Sequence, residues 1–199
     1  MAQGGAERVG VVGCAVGAPF AVLVAEQLFA SGCRLLVSVT SAGQIVAAGA
    51  PPYFVLIDRA LRDEGTSGHY LPPEVPAAVD PGLADAAFRA AVAAGLAVHR
   101  GLAWTTDAPY RETEAAIAAA RGLGVLAVEM EAAALYAFAR ARERAVLCFA
   151  HVTNTMAVDG DDFEKGEDDG FRDALAIVAA AAAGWRLGAH AMGEPAALR

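Results

Sequence analysis

Cationic residues are scarce in this sequence: 15 Lys and Arg stand against 23 Asp and Glu, a formal net charge of −8. Nucleic acid and anionic membrane surfaces are gripped by clustered Lys and Arg, so neither is expected as a partner, and only a local basic site is left to hold an anion. Long apolar runs free of glycine and charge are also missing. The nearest, Ala174 to Gly184, is too short for a membrane span. The opening "MAQGGAERVG" has no basic region followed by a long apolar stretch, so no secretory leader is expected and the expected compartment is the cytoplasm. Cysteines number three, Cys14, Cys33 and Cys148, scattered through apolar segments. They read as core thiols, not as a disulfide framework or a zinc site. His69 and His151 lack metal-ligand spacing, and neither a metal nor an organic cofactor is expected. Gly10, Gly13 and Gly17 do not spell the dinucleotide fingerprint and no Walker lysine follows them, which disfavours a Rossmann-type or P-loop protein.

What the chain has in quantity is apolar material, 56% of 199 residues, much of it alanine. That length supports one full core, and the whole chain, 1–199, reads as a single domain. Alanine favours helices and close contacts but buries little area, so the larger aliphatic and aromatic residues must carry the core. "RVGVVGCAVG" reads as a strand ending at Gly17, and "APFAVLVAEQLFASG" as a helix stopped by Gly32. Apolar runs at "CRLLVSVTSAGQI", "YFVLID", "AVHRGLAWTT" and "RAVLCFAHVTN" read as strands. Helices are expected at "LADAAFRAAVAAGL", near "RETEAAIAAARGLG", and from about Phe171. Continuous apolar strands alternating with helices indicate an α/β fold with a largely buried, mixed or parallel sheet. "AVDGDDFEKGEDDG" is the most polar segment and is expected as an exposed, mobile loop without the acid spacing of a calcium loop.

The segment "LAVEMEAAALYAFA" places Glu129 and Glu131 in otherwise apolar surroundings. Carboxylates at the start of a helix can satisfy its free N–H groups and its dipole. An ionised carboxylate also presents the paired acceptors that match a vicinal diol. Spacing alone favours the helix-start reading for both. Trp104, in "LAWTTDAPY", offers a face for a planar base, although a lone tryptophan is first of all core.

Taken together, "VTSAGQI", "ALRDEGTSGHYLPP", "TTDAPYRET" and "VEMEAAALYAFA" are similar in order and spacing to the nucleoside phosphorylase family, which includes uridine phosphorylase and the hexameric purine nucleoside phosphorylases. The resemblance runs from about Val9 to Ala180. It implies a three-layer α/β fold, a mixed central sheet flanked by helices, and a homo-oligomer, a dimer or a trimer of dimers. It also implies a pentosyltransferase that cleaves the N-glycosidic bond of a nucleoside with phosphate as co-substrate. By the same resemblance Glu131 grips the ribose hydroxyls, with Glu129 beside it, and Met130 packs under the sugar. Trp104 lies against the base, Ser41 falls at the phosphate, Thr105 and Gly43 are further substrate-binding positions, and Asn154 falls where purine phosphorylases carry an aspartate that helps protonate the leaving base. Asn154 and Glu131 are thus the two positions assigned to catalysis.

Three departures accompany the resemblance. The chain starts close to a strand that, in familiar members, follows a segment carrying a glycine and an arginine for phosphate. Ser38 stands where another arginine is usual, and Asn154 can donate a hydrogen bond but not deliver a proton as an acid. Phosphate would then rest on backbone N–H groups, Ser41, and Arg59 or Arg62. A hydrolytic nucleosidase and an inactive nucleoside-binding or assembly homologue are the alternatives.

Overall fold

The computed structural model describes residues 9–155 and 167–191. In chain order they form α1 (Ala18–Ala30), β1 (Leu35–Gln44), β2 (Tyr53–Asp63), a short β3 (Ala77–Ala78), α2 (Pro81–Ala93), β4 (Val98–Thr106), α3 (Glu114–Gly122), β5 (Val125–Glu129), α4 (Ala132–Arg142), β6 (Ala145–Thr155) and α5 (Phe171–Ala191). Local chemistry sets most of these boundaries. Proline in the first turn of α1 and Gly32 at φ +92° just beyond its end frame that helix. The side chains of Asp80 and Thr113 accept from Leu83 N–H and Ala116 N–H to cap α2 and α3.

The sheet is mixed and flanked by helices, as the sequence implied, but it also closes. Its order is β3-β2-β4-β5-β1-β6, with a further pairing of β2 to β6. β2, β4 and β5 run parallel, as do β1 and β6. Two antiparallel seams join the groups: Gly43 and Gln44 against Val128 and Ala127, and Tyr53–Leu56 against Val152–Phe149. Closure gives each of the five ring strands a partner on either side, although β1 meets β5 only at Gly43 and Gln44, and β3 is appended outside the ring on β2.

Leu56 and Ile57 on β2, Leu147 and Phe149 on β6, Tyr136 and Phe138 on α4, and Ile177 on α5 are fully buried. The Tyr136 hydroxyl donates to Ile57 O at 2.6 Å and accepts from Cys148 N–H at 3.1 Å, which fixes α4 across β2 and β6. The abundance of small residues has a visible use where α5 crosses α2. A Cβ at Gly184 would lie 2.5 Å from Ala86 O, so only glycine permits the two backbones to meet.

One expected strand is not formed. Residues 9–16 have no regular secondary structure, and Val9, Val11, Val12 and Val16 are 72, 83, 52 and 66% exposed. A strand needs a neighbour to accept its ladder bonds and a face to bury its valines. Nothing among the described residues runs alongside this one, and Cys14 turns the chain at φ +59°. Most of the acidic loop lies outside the described residues. Its end, Glu167–Gly170, is a single 3-10 turn that leads into α5 at the expected Phe171.

Candidate functional site

The strand registers bring most of the expected residues to one end of the ring. Trp104 on β4 pairs with Val128 on β5, Val128 with Gly43 on β1, and Gly43 with Asn154 on β6. One row therefore crosses four strands, and Thr105 and Glu129 form the next rung. Gly43 sits at the irregularity where β1 slips by one residue against β6. Beyond β5 the chain turns at the half-buried Met130 and enters α4, with Glu131 at the N-cap position.

The two glutamates have different surroundings. Glu129 is 3% exposed, and both of its oxygens are engaged by its own chain. Oε2 accepts from Glu131 N–H and Ala132 N–H, each at 2.8 Å, so this carboxylate caps α4 from the end of the preceding strand. Oε1 accepts from the hydroxyl of Thr105, and the Thr105 oxygen in turn accepts from Ala133 N–H at 3.0 Å. Burial pushes the Glu129 carboxyl up to about 7, against the pull of these three donors and with a smaller push from the Glu131 charge.

Glu131 is 4% exposed, and its Oε1 accepts from Gly17 N–H at 2.6 Å, a bond that spans 114 positions of sequence. Gly17 is itself the N-cap residue of α1, so one carboxylate lies at the N-terminal ends of two helices, where negative charge is favoured. Burial raises the Glu131 carboxyl above the ordinary range, opposed by the Gly17 N–H, the Thr40 hydroxyl and the Met130 N–H. Its other oxygen, Oε2, is enclosed and accepts no hydrogen bond. A buried acceptor left in this state costs on the order of 1–3 kcal/mol, so the arrangement is poised to receive an O–H or N–H donor.

The remaining expected residues divide. Asn154 is half-buried, with its Oδ1 accepting from Thr153 Oγ1 at 3.4 Å. Ser41 is exposed on β1, opposite His151, and Gly43 is buried. Trp104 is 7% exposed and packed with Ile45, Ile117, Val125 and Val128, and its Nε1–H donates to Asp63 Oδ2 at 2.9 Å. Thr105 is fully buried and serves Glu129 and α4.

Arg62 corrects an expectation. Its guanidinium donates to Ser67 Oγ and to the carbonyls of Leu71, Pro72 and Val75 at 2.6–2.9 Å, which clasps the loop after β2 and leaves it committed away from any phosphate. Arg59 is exposed on β2, beside Ala78 and Leu102. Ser38 is half-buried opposite Cys148. Across the same end, Asp107 Oδ2 accepts from Gly65 N–H at 2.9 Å and so ties the loop after β4 to the loop after β2. Sequence reasoning missed Gly17 and Thr40 as neighbours of Glu131. The glycine just ahead of "APF" was visible as a helix start, but nothing local joined it to a glutamate so far along the chain.

Among the described residues, no group of three or more His, Cys, Asp or Glu could hold a metal ion, and no helix is long and apolar enough to cross a membrane.

A family model described as the phosphorylase superfamily matches residues 2–187. The chain is 29% identical over 162 residues to a DeoD-type purine nucleoside phosphorylase of Streptococcus uberis, covering 80% of this chain and 68% of that protein. It is 28% identical over 162 residues to a guanosine phosphorylase of Halorubrum lacusprofundi, covering 77% and 67% respectively. It is 30% identical over 102 residues to a uridine phosphorylase of Thermococcus kodakarensis, covering 51% and 37%.

Proposed function

Because this chain belongs to the phosphorylase superfamily, we propose that it cleaves the N-glycosidic bond of a nucleoside, transferring the pentosyl group to phosphate. The observation that carries the reading is the enclosed Glu131 carboxylate, whose Oε2 has no partner while Oε1 is held by Gly17. A ribose diol supplies an O–H donor for the unpartnered Oε2 and a second that can take the place of Gly17 N–H on Oε1, and each charge-assisted bond contributes about 1.5–3 kcal/mol. Glycosidic cleavage passes through an oxocarbenium-like state in which the sugar gains positive charge and the base negative charge. Glu131 then fixes the ribose with its charge nearby, and Asn154, one row across the sheet, donates an amide N–H to the departing base. Glu129 is assigned to the scaffold, since its oxygens cap α4. The names of the relatives point to purine nucleosides, guanosine and uridine, so the base is left to the test.

Water as the attacking group is the second reading, and it is favoured by one observation. Arg62 is spent on its own loop and Ser38 brings no charge, so phosphate would rest on Ser41, backbone N–H groups and Arg59. Incubation of the purified protein with a nucleoside panel, with and without phosphate, separates the two. Free base together with pentose phosphate, formed only when phosphate is present, supports phosphorolysis. Free ribose without phosphate supports hydrolysis. Binding without either product reduces the protein to a nucleoside-binding homologue, and absence of binding overturns the reading.

A further inference from the structure

Glu131, the proposed sugar ligand, is shut in by the segment just before α1. The residue is 4% exposed, its Oε2 is enclosed, and Gly17 N–H sits on Oε1 at 2.6 Å. In this state a diol has no way in. The segment that carries Gly17 is nevertheless weakly held: residues 9–16 form no helix or strand, and four of their valines are more than half exposed. Gly17 at φ +87° and Cys14 at φ +59° give it two left-handed positions about which to turn. Little burial opposes its displacement, and the closed state leaves Glu131 Oε2 unpaired inside the protein.

We propose that residues 9–17 form a strap that closes over Glu131 in the free protein, with Gly17 N–H as its latch, and that nucleoside binding opens it. The inference rests on the sugar-binding reading of Glu131 and adds to it a competition: the ribose hydroxyls replace the Gly17 N–H on the same carboxylate. Binding and opening are then linked. A nucleoside draws on the donors that satisfy Oε2 and gives up one backbone bond, and the strap gains the freedom that its exposed valines already suggest. A ligand can shift such an equilibrium only by its difference in affinity for the two states, and the newly paired Oε2 is that difference.

The test is amide hydrogen exchange at Gly17 in the full chain, alone and with saturating adenosine, guanosine, uridine or cytidine, alongside equilibrium dialysis for binding. The expected result is a slow Gly17 amide in the free protein that exchanges about tenfold faster or more when a nucleoside is bound. Glu131→Ala should release the same amide without ligand. Should that variant fail to fold, Glu131→Asp, one methylene shorter, should speed exchange at Gly17 by a smaller factor. A nucleoside that binds while Gly17 keeps or increases its protection overturns the strap and leaves the sugar role of Glu131 standing. A Gly17 amide that stays protected in the folded variants shows that the carboxylate is not the latch and overturns the strap as well. If none of the four nucleosides binds, the reading of Glu131 fails and the strap falls with it.

Discussion

Glu129 and Glu131 are separated by one residue, are buried to the same degree, and have almost nothing else in common. Around Glu129 every acceptor is met by a donor from the protein's own backbone or from Thr105, and those donors belong to a strand end and to the first turn of α4. Around Glu131 the partner comes from a segment distant in sequence and poor in contacts, and one oxygen is left over. A buried carboxylate whose acceptors are all met belongs to the local scaffold; one left half-paired carries a cost that a further donor would offset. The pair therefore sets a fully satisfied helix cap beside a carboxylate with an oxygen to spare, within three residues.

The largest effect that would break this contrast is on stability at the first position. Glu129→Ala leaves Glu131 N–H, Ala132 N–H and the Thr105 hydroxyl without their acceptor, and should cost on the order of 2–6 kcal/mol in denaturant unfolding. A loss below about 1 kcal/mol would place the cap elsewhere. The second position should respond in the opposite way. Glu131→Ala should reduce kcat/KM on whichever nucleoside is turned over by about a hundredfold or more, the loss of two charge-assisted bonds, while the protein still folds. Unchanged activity would remove Glu131 from the sugar.

A pH series sharpens the comparison further. The Glu129 carboxyl is raised to about 7 in the folded protein from an ordinary 4.5, so the folded state holds a proton that the unfolded chain has released between those values. Its contribution is complete below pH 4.5 and is lost as pH rises through 7. Glu129→Gln carries no such proton and keeps an acceptor and a donor at the same place. Relative to that variant, the wild type should lose roughly 3 kcal/mol of stability between pH 4.5 and pH 8, at about 1.4 kcal/mol per pH unit. Parallel stability curves for the two proteins would contradict this. The smallest effect belongs to Trp104, where Trp104→Phe removes the bond to Asp63 and part of a buried ring and should cost about 2 kcal/mol of stability with no change in nucleoside affinity. A weaker affinity instead would return the indole to the base.

The strands and helices were legible because their signals are local. Apolar runs marked β1, β2, β4 and β6, and Gly32 marked the end of α1 by chemistry that acts within a few residues. "RVGVVGCAVG" failed for the complementary reason: it has the composition of a strand, but a strand exists only beside another, and composition carries no information about a neighbour. Closure of the sheet was illegible on the same ground, since the β2–β6 seam joins residues nearly a hundred positions apart. The candidate site was legible as a set of motifs, and the registers of β4, β5, β1 and β6 do bring them to one end. Which glutamate serves the fold was not, because both satisfy the same spacing rule and only their donors differ. Trp104 reads as core by itself and as a ring at the base only by the resemblance, and its packing with Ile45, Ile117 and Val128 accords with the first of these.

The pairing of β6 with both β1 and β2 has a consequence for how the chain is made. During synthesis, β1 and β2 leave the ribosome 110 and 92 residues ahead of the strand that will lie between them, counted from strand start to strand start, at roughly 5–20 residues per second. For those seconds their flanks are bare backbone, open to chance partners in a crowded cell. The nascent chain therefore carries these two unpaired flanks until residue 145 emerges, and that interval is when edge-to-edge aggregation has its opening.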